Sequence, residues 1–315
     1  MIQKYRAALL TIITATSFLM AACSQNNVQI STQANSQEIA QAETKHSIEA
    51  KPDSIIEYKI IGDVSLSLHI FNPPNHLKSN KTPAIVFFHG GGWKSVDASA
   101  FYRQSAYLAS RGMVAISAEY RLKTTHGTTP AECVKDAKSA MRFVRSHASQ
   151  FGIDPDMLAA GGGSAGGHIA AATGTVKGFN EDSDDLRISE RPDALVLFNP
   201  VYDNSEKGYG YSRVKDYWQA ISPLHNLDKN TPPTVVFLGT KDKLIPVATA
   251  QHFQASMVKL GVRSELHLYE DQPHAFFNKA RYYETLLAAD KFLTSLGYLK
   301  GQPTLQRADK AVSEH

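Results

Sequence analysis

The chain has 315 residues, enough for one large domain or two small ones. It is 43% hydrophobic and 20% charged, an ordinary balance for a soluble globular enzyme with a sizeable core. Formal charge is +3, from 33 basic and 30 acidic residues, and nothing in it suggests nucleic acid, which would need a clustered basic face.

The chain opens with a basic start, Lys4 and Arg6, an apolar run from Ala7 to Ala22, and then Cys23. That is the layout of a secretory signal peptide, and the run is too short for a membrane span. Leu19-Met20-Ala21-Ala22-Cys23 resembles a bacterial lipobox, with Met20 where the pattern has Leu. The resemblance implies removal of residues 1–22 and acylation of Cys23, hence attachment to a membrane through an N-terminal lipid. Loss of Lys4 and Arg6 takes the formal charge from +3 to +1. Ser24, rather than Asp, after the cysteine favours the outer membrane of a Gram-negative envelope. An ordinary cleaved signal that discards Cys23 is the alternative. Residues 23–50 are rich in Gln, Asn and Ser and nearly free of large apolar groups, so they are expected to form a flexible tether. The catalytic domain is expected over 51–301, with 302–315 a frayed tail.

Within that domain short apolar runs alternate with helical patterns. IIEYKII (55–61) and SLSLHIF (65–71) read as a hairpin. Runs at 84–89, 113–120, 157–162, 194–199, 234–239 and 265–270 read as strands buried on both faces. Helical spacing appears at Val134, Ala137, Met141 and Val144, and again at Tyr282, Leu286, Ala289, Leu293 and Leu296. Gly112 and Gly261 stand where helices should end, and Asp154-Pro155 reads as a turn before the central strand. Cys133, on the apolar side of a predicted helix, reads as a small buried hydrophobe. With Cys23 acylated, no intramolecular disulfide is possible. The pattern predicts an α/β fold: a doubly wound, mostly parallel eight-stranded sheet with helices on both faces.

Residues 161–168, GGGSAGGH, lie between a strand and a helix. They fit G-x-S-x-G, the sharp turn that exposes a nucleophilic serine, here Ser164. They equally fit G-x-G-x-x-G, a dinucleotide fingerprint, with Glu181 and Asp182 following at a suitable distance. That fingerprint belongs to the first strand–helix turn of its fold, whereas several elements precede this one. Upstream, HGGGW (89–93) follows the strand AIVFF and fits the loop that supplies backbone N–H groups to an oxyanion hole. The candidate donors are Gly91, Gly92 and Ala165, with His89 fixing the loop. Downstream, GTKDKLIP places Asp242, and DQPHAFF places His274, just after predicted strands. This gives the order Ser…Asp…His. Among other histidines, His252 falls in a helix, His267 in a strand, and His225 precedes Asp242. Asp271 is too near His274 to be its orienting partner.

These motifs together identify residues 84–175 and 231–278 as similar to the hormone-sensitive-lipase-like branch of the α/β-hydrolases. HGGGW, AEYRL, GGGSAGGH, GTKDKLIP and DQPHAFF occur in that family's order. The resemblance implies the α/β-hydrolase fold and a serine esterase or deacetylase working with neither cofactor nor metal. It also implies that Glu119, Tyr120 and Arg121 form an ion-paired structural turn. The helical N-terminal cap of many members is replaced here by the polar tether, so an open cleft is expected, partly covered by segment 201–222. Trp93, Tyr209, Tyr211, Tyr217 and Trp218 could stack on a sugar there, or could pack the insert onto the domain. The expected substrate is a small-molecule or oligosaccharide ester, foremost an acetylated carbohydrate, then feruloyl or other short-chain esters. A nucleotide-dependent oxidoreductase and a catalytically idle surface-binding protein are the alternatives from other classes.

Overall fold

A computed structural model describes residues 50–306. The expected signal segment, Cys23, the tether up to residue 49 and residues 307–315 lie outside the described residues. The strands are β1 (Ser54–Ile61), β2 (Val64–Phe71), β3 (Thr82–Phe88), β4 (Val114–Ala118), β5 (Ile153–Gly163), β6 (Ala194–Phe198), β7 (Thr234–Gly239) and β8 (Ser264–Tyr269). They form one eight-stranded sheet in the order β1-β2-β4-β3-β5-β6-β7-β8. β2 runs antiparallel to β1 and β4, and the other pairings are parallel. Each expected apolar run is a strand, and the first two form the expected hairpin.

The five longer helices are α1 (Tyr102–Ser110), α2 (Pro130–Ser146), α3 (Ala165–Thr175), α4 (Val247–Lys259) and α5 (Tyr282–Ser295). Alternation along β3 shows why both sheet faces need covering. Ala84, Val86 and Phe88 join the core formed with Val134, Ala137 and Met141 of α2 and with α3 and α4. Ile85 and Phe87 join the opposite core, with Leu108 of α1 and Leu286 and Leu293 of α5. Leu305 also packs there, so the chain stays on the domain past the expected boundary at 301. Gly112 and Gly261 follow α1 and α4 at φ +107° and +74°, the left-handed geometry that closes a helix. α2 starts with a capping box: Ala131 N–H donates to Thr129 Oγ1, and Thr129 N–H donates to Glu132 Oε2.

One expectation changes. Asp154-Pro155 lies inside β5, not before it. The local turn chemistry is real, since Asp156 N–H donates to Asp154 Oδ1 at 3.0 Å. Thr82 pairs with Ile153 and Ala84 with Leu158, so the extra residues bulge out and the ladder resumes. Cys133 is fully buried, its thiol donating to Arg121 O at 3.2 Å, and burial pushes that thiol well above its ordinary range.

Candidate active site

Parallel strands put their carboxyl ends on one edge of a sheet, and the motif residues gather there. The loop after β3 carries residues 89–93, β5 leads to Ser164, β7 leads to Asp242, and β8 leads to His274. Ser164 stands between β5 and α3 at φ +54°, ψ −118°, a conformation strained for a residue with a Cβ. Its N–H donates to Phe198 O, and its carbonyl accepts from His168 N–H and Val201 N–H, which hold the turn. A Cβ on Gly166 would run into the Phe88 and His89 carbonyls, so only glycine lets α3 sit this close to β3.

Ser164 Oγ lies 2.8 Å from His274 Nε2, and His274 Nδ1 lies 2.7 Å from Asp242 Oδ2. The other Asp242 oxygen accepts from the N–H groups of Leu244 and Ile245 at 2.8 and 3.0 Å, which fixes the carboxylate. The acid and histidine loops are joined: Lys241 N–H donates to Gln272 O, and Asp271 N–H donates to Thr240 Oγ1. With Nδ1–H directed at Asp242, Nε2 keeps a lone pair facing the serine hydroxyl. The structure thus brings the three expected residues into one chain of hydrogen bonds.

The glycine loop is aimed by its carbonyls. Tyr120 OH donates to His89 O and Gly90 O at 2.8 and 3.1 Å, and His89 Nδ1–H donates to Gly90 O at 3.0 Å. Lys94 N–H donates to Gly91 O at 3.1 Å. In a trans peptide the N–H points away from its carbonyl. Pinning the Gly90 and Gly91 carbonyls therefore turns the N–H groups of Gly91 and Gly92 away from those partners. Among the described residues those two N–H groups and that of Ala165, at the start of α3, have no acceptor. A Cβ on Gly90 would lie 3.5 Å from Ser164 Cβ, so the loop passes directly beside Ser164. His89 is buried, stacks on Tyr120, and is held neutral by that burial, with its pKa lowered to about 4.

Glu119 and Arg121 extend this scaffold. Glu119 accepts from Ser67 N–H and lies 3.2 Å from His69 Nε2. Arg121 forks onto the buried Asp136, and both Arg121 and Lys59 reach Glu181. Glu181, one of the acids a dinucleotide site would direct at a ribose, is thereby engaged in ion pairs.

The aromatic residues behave unevenly. Trp93 is 1% exposed, packed edge-on against His168 and under Tyr209, so it has no face to offer a sugar. Its φ of +59° turns the side chain inward from a loop that reads as exposed. Tyr217 packs on Phe179, and Trp218 packs on His225. Tyr209, Tyr211 and Trp218 stay half-buried. Tyr209 OH comes within 3.3 Å of where a Cβ of Gly92 would be, which sets segment 201–222 against the glycine loop. Two residues at the site were not singled out in the sequence. Asn199, buried at the end of β6, accepts from Ala275 N–H at 3.0 Å and places Nδ2 3.4 Å from His274 Nε2. Its position just after the run ALVLF matches that of Ser164 after β5, and that was the available signal. Arg213 donates to Gly92 O at 2.9 Å from 121 residues away, and no local pattern announces it.

A family model described as BD-FAE matches residues 68–205, and one for the dienelactone hydrolase family matches residues 199–301. The probable carboxylic ester hydrolase LipM of Mycobacterium tuberculosis is 27% identical over 274 residues, 76% of this chain and 62% of that protein. The acetylxylan esterase of Xylanibacter ruminicola is 27% identical over 213 residues, 61% of this chain and 41% of that protein. The chain thus spans less than two thirds of the length of these curated relatives. Among solved structures, Thermogutta terrifontis esterase 2 phosphorylated by paraoxon is 40% identical, with a TM-score of 0.76, covering 79% of this chain and 96% of that one. The same esterase is solved with propionate and with butyrate bound.

Proposed function

From the premise that the chain belongs to the α/β-hydrolase esterase family, we propose that it is a serine carboxylic-ester hydrolase with Ser164 as nucleophile. The observation that carries this is the pair of contacts at 2.8 and 2.7 Å linking Ser164, His274 and Asp242. His274 takes the Ser164 proton as Oγ attacks the ester carbonyl. Asp242 holds the ring and stabilises the imidazolium that forms. The N–H groups of Gly91, Gly92 and Ala165 receive the oxyanion, each such donor contributing about 3 kcal/mol in comparable sites. His274 then gives its proton to the departing alcohol, and water, activated the same way, releases the acid.

The substrate proposed first is an acetylated carbohydrate, with feruloyl and other short-chain esters next. The acetylxylan esterase relative and the propionate- and butyrate-bound neighbour support a small acyl group. The half-buried Tyr209, Tyr211 and Trp218 leave aromatic surface on the insert. Envelope anchoring through Cys23 belongs to the same proposal.

Ser164→Ala should cut turnover of p-nitrophenyl acetate by up to about a millionfold. It should also abolish labelling by a fluorophosphonate; activity near wild type would overturn the assignment. Acetate release from acetylated xylan, set beside hydrolysis of tributyrin and methyl ferulate, ranks the substrates. No release from any sugar acetate removes the first choice.

A further inference from the structure

Arg213 stands out among the charged groups around the site. Its Nη1 donates to Gly92 O at 2.9 Å, and its guanidinium lies 5.6 Å from the Trp93 ring centre and 5.4 Å from that of Tyr209. These contacts fix a half-buried cation, and they occupy one of its five N–H donors. Among the described residues no carboxylate lies within ion-pair distance of it. Every other arginine that is at least partly buried there holds one, from Arg111 on Asp290 to Arg281 on Glu284. A fixed, partly desolvated guanidinium without a counter-charge is a binding group for an anion.

Its address is the reaction centre. Nη1 lies 3.5 Å from where a Cβ of Gly92 would be, and Gly90, two residues back, passes beside Ser164. At 3.8 Å per residue, the guanidinium is on the order of 10 Å from the nucleophile. Of the acids in its own segment, Asp203 accepts from Ser205 N–H, Glu206 accepts from Tyr211 OH, and Asp216 acts on Tyr211. Beside the glycine loop the exposed charges are basic. Lys123 N–H donates to Trp93 O, which puts exposed Lys123 and Lys94 next to this loop. Asp97, the carboxylate of the same loop, is turned away to cap Ser99.

Resting on the ester-hydrolase reading, we propose that Arg213 reads a carboxylate on the substrate, and that the site prefers esters carrying one within a few bonds of the scissile carbonyl. Planar, bidentate recognition of carboxylate is what the free edge of the guanidinium provides. Tyr209 OH, beside it, adds a donor. Arg213 also steadies the glycine loop through Gly92 O, so the test must separate recognition from loop support.

Two matched pairs do so. Mono-p-nitrophenyl glutarate against p-nitrophenyl butyrate puts the carboxylate on the acyl side. 4-Acetoxybenzoate against 4-acetoxybenzamide puts it on the alcohol side. The readout is the anionic-to-neutral ratio of kcat/KM, in which intrinsic reactivity and loop damage cancel between wild type and variant. In Arg213→Met the ratio should fall about tenfold or more for one pair. Arg213→Lys should keep part of it, and added salt should lower it in the wild type. Ratios unchanged within about twofold for both pairs in Arg213→Met would overturn the proposal. Wild-type hydrolysis of p-nitrophenyl butyrate that Ser164→Ala abolishes leaves the hydrolase reading standing in that event. Its absence would sink both.

Discussion

Tyr120 shows how a single hydroxyl far from Ser164 in sequence controls where a candidate oxyanion donor points. It gives one proton to two carbonyls, His89 O and Gly90 O, and the peptide planes carry that choice across to the Gly91 N–H. Burial pushes the phenol well above its ordinary value of 10, so it stays a donor at any working pH. Tyr120→Phe keeps the ring that stacks on His89 and removes only the donor. It leaves His89 O without a side-chain donor and Gly90 O with the imidazole alone. We expect kcat to fall about 10- to 100-fold with KM little changed, because the loss is felt where the oxyanion develops. The measurement is steady-state kinetics on p-nitrophenyl acetate, with circular dichroism to confirm the fold. An unchanged kcat would show that the glycine loop holds its aim without Tyr120.

At the scale of elements, α2 is the brace behind that turn. Its Asp136 carboxylate, fully buried, accepts from Lys59 of β1 and from both the side chain and the N–H of Arg121. Lys138 and Arg142, further along α2, hold residues 176–190 through Val176 O, Gly178 O, Asp184 and Glu190. Asp136→Ala would strand two cations with Glu181 as their remaining carboxylate, a loss of about 3–5 kcal/mol for a buried pair. At about 2–4 °C per kcal/mol, the melting temperature should drop by about 6–20 °C. A drop under about 2 °C would mean that Glu181 alone suffices. Little of this brace was legible beforehand. Strand and helix identity could be read because apolar spacing is local. Ser164, Asp242 and His274 could be placed because each sits just past such a run. The partners of Asp136 lie 15 to 77 residues away, and Arg213 meets Gly92 across 121, so no window of sequence joins them. Trp93 stayed open between stacking on a sugar and packing the insert for a related reason: a glycine-rich loop reads as exposed, while its positive φ and the distant insert bury the indole.

For the whole molecule, two histidines couple folding to acidity. His89 lies under the glycine loop, and His168 on α3 is fully buried, with Nε2 3.1 Å from Ile221 O. Desolvation lowers each to about 4 from an ordinary 6.5, and the bonds to Gly90 and Ile221, which act the other way, do not cancel it. The sign follows from proton counting. Between pH 6.5 and 4 the unfolded chain binds a proton at each ring and the native state does not, so stability falls as pH falls. It is fully present above about 6.5 and stops falling from this cause below about 4. At about 1.4 kcal/mol per pH unit for each group, the two together should remove about 4 kcal/mol between pH 7.5 and pH 5. Denaturant titrations at those two pH values measure it. His168→Gln, which cannot titrate, should halve the difference, whatever its own stability. An equal unfolding free energy at both pH values would show that neither ring is kept neutral by the fold. Because His89 sits behind Gly90 and His168 N–H binds Ser164 O, the groups that lose stability in acid are the ones supporting Ser164 and the glycine loop. The active edge of the sheet should therefore be the first part of the domain to loosen as pH drops. Hydrogen exchange of the Gly91, Gly92 and Ala165 amides, faster at pH 5 relative to strand β6 once the intrinsic rates are divided out, would register it.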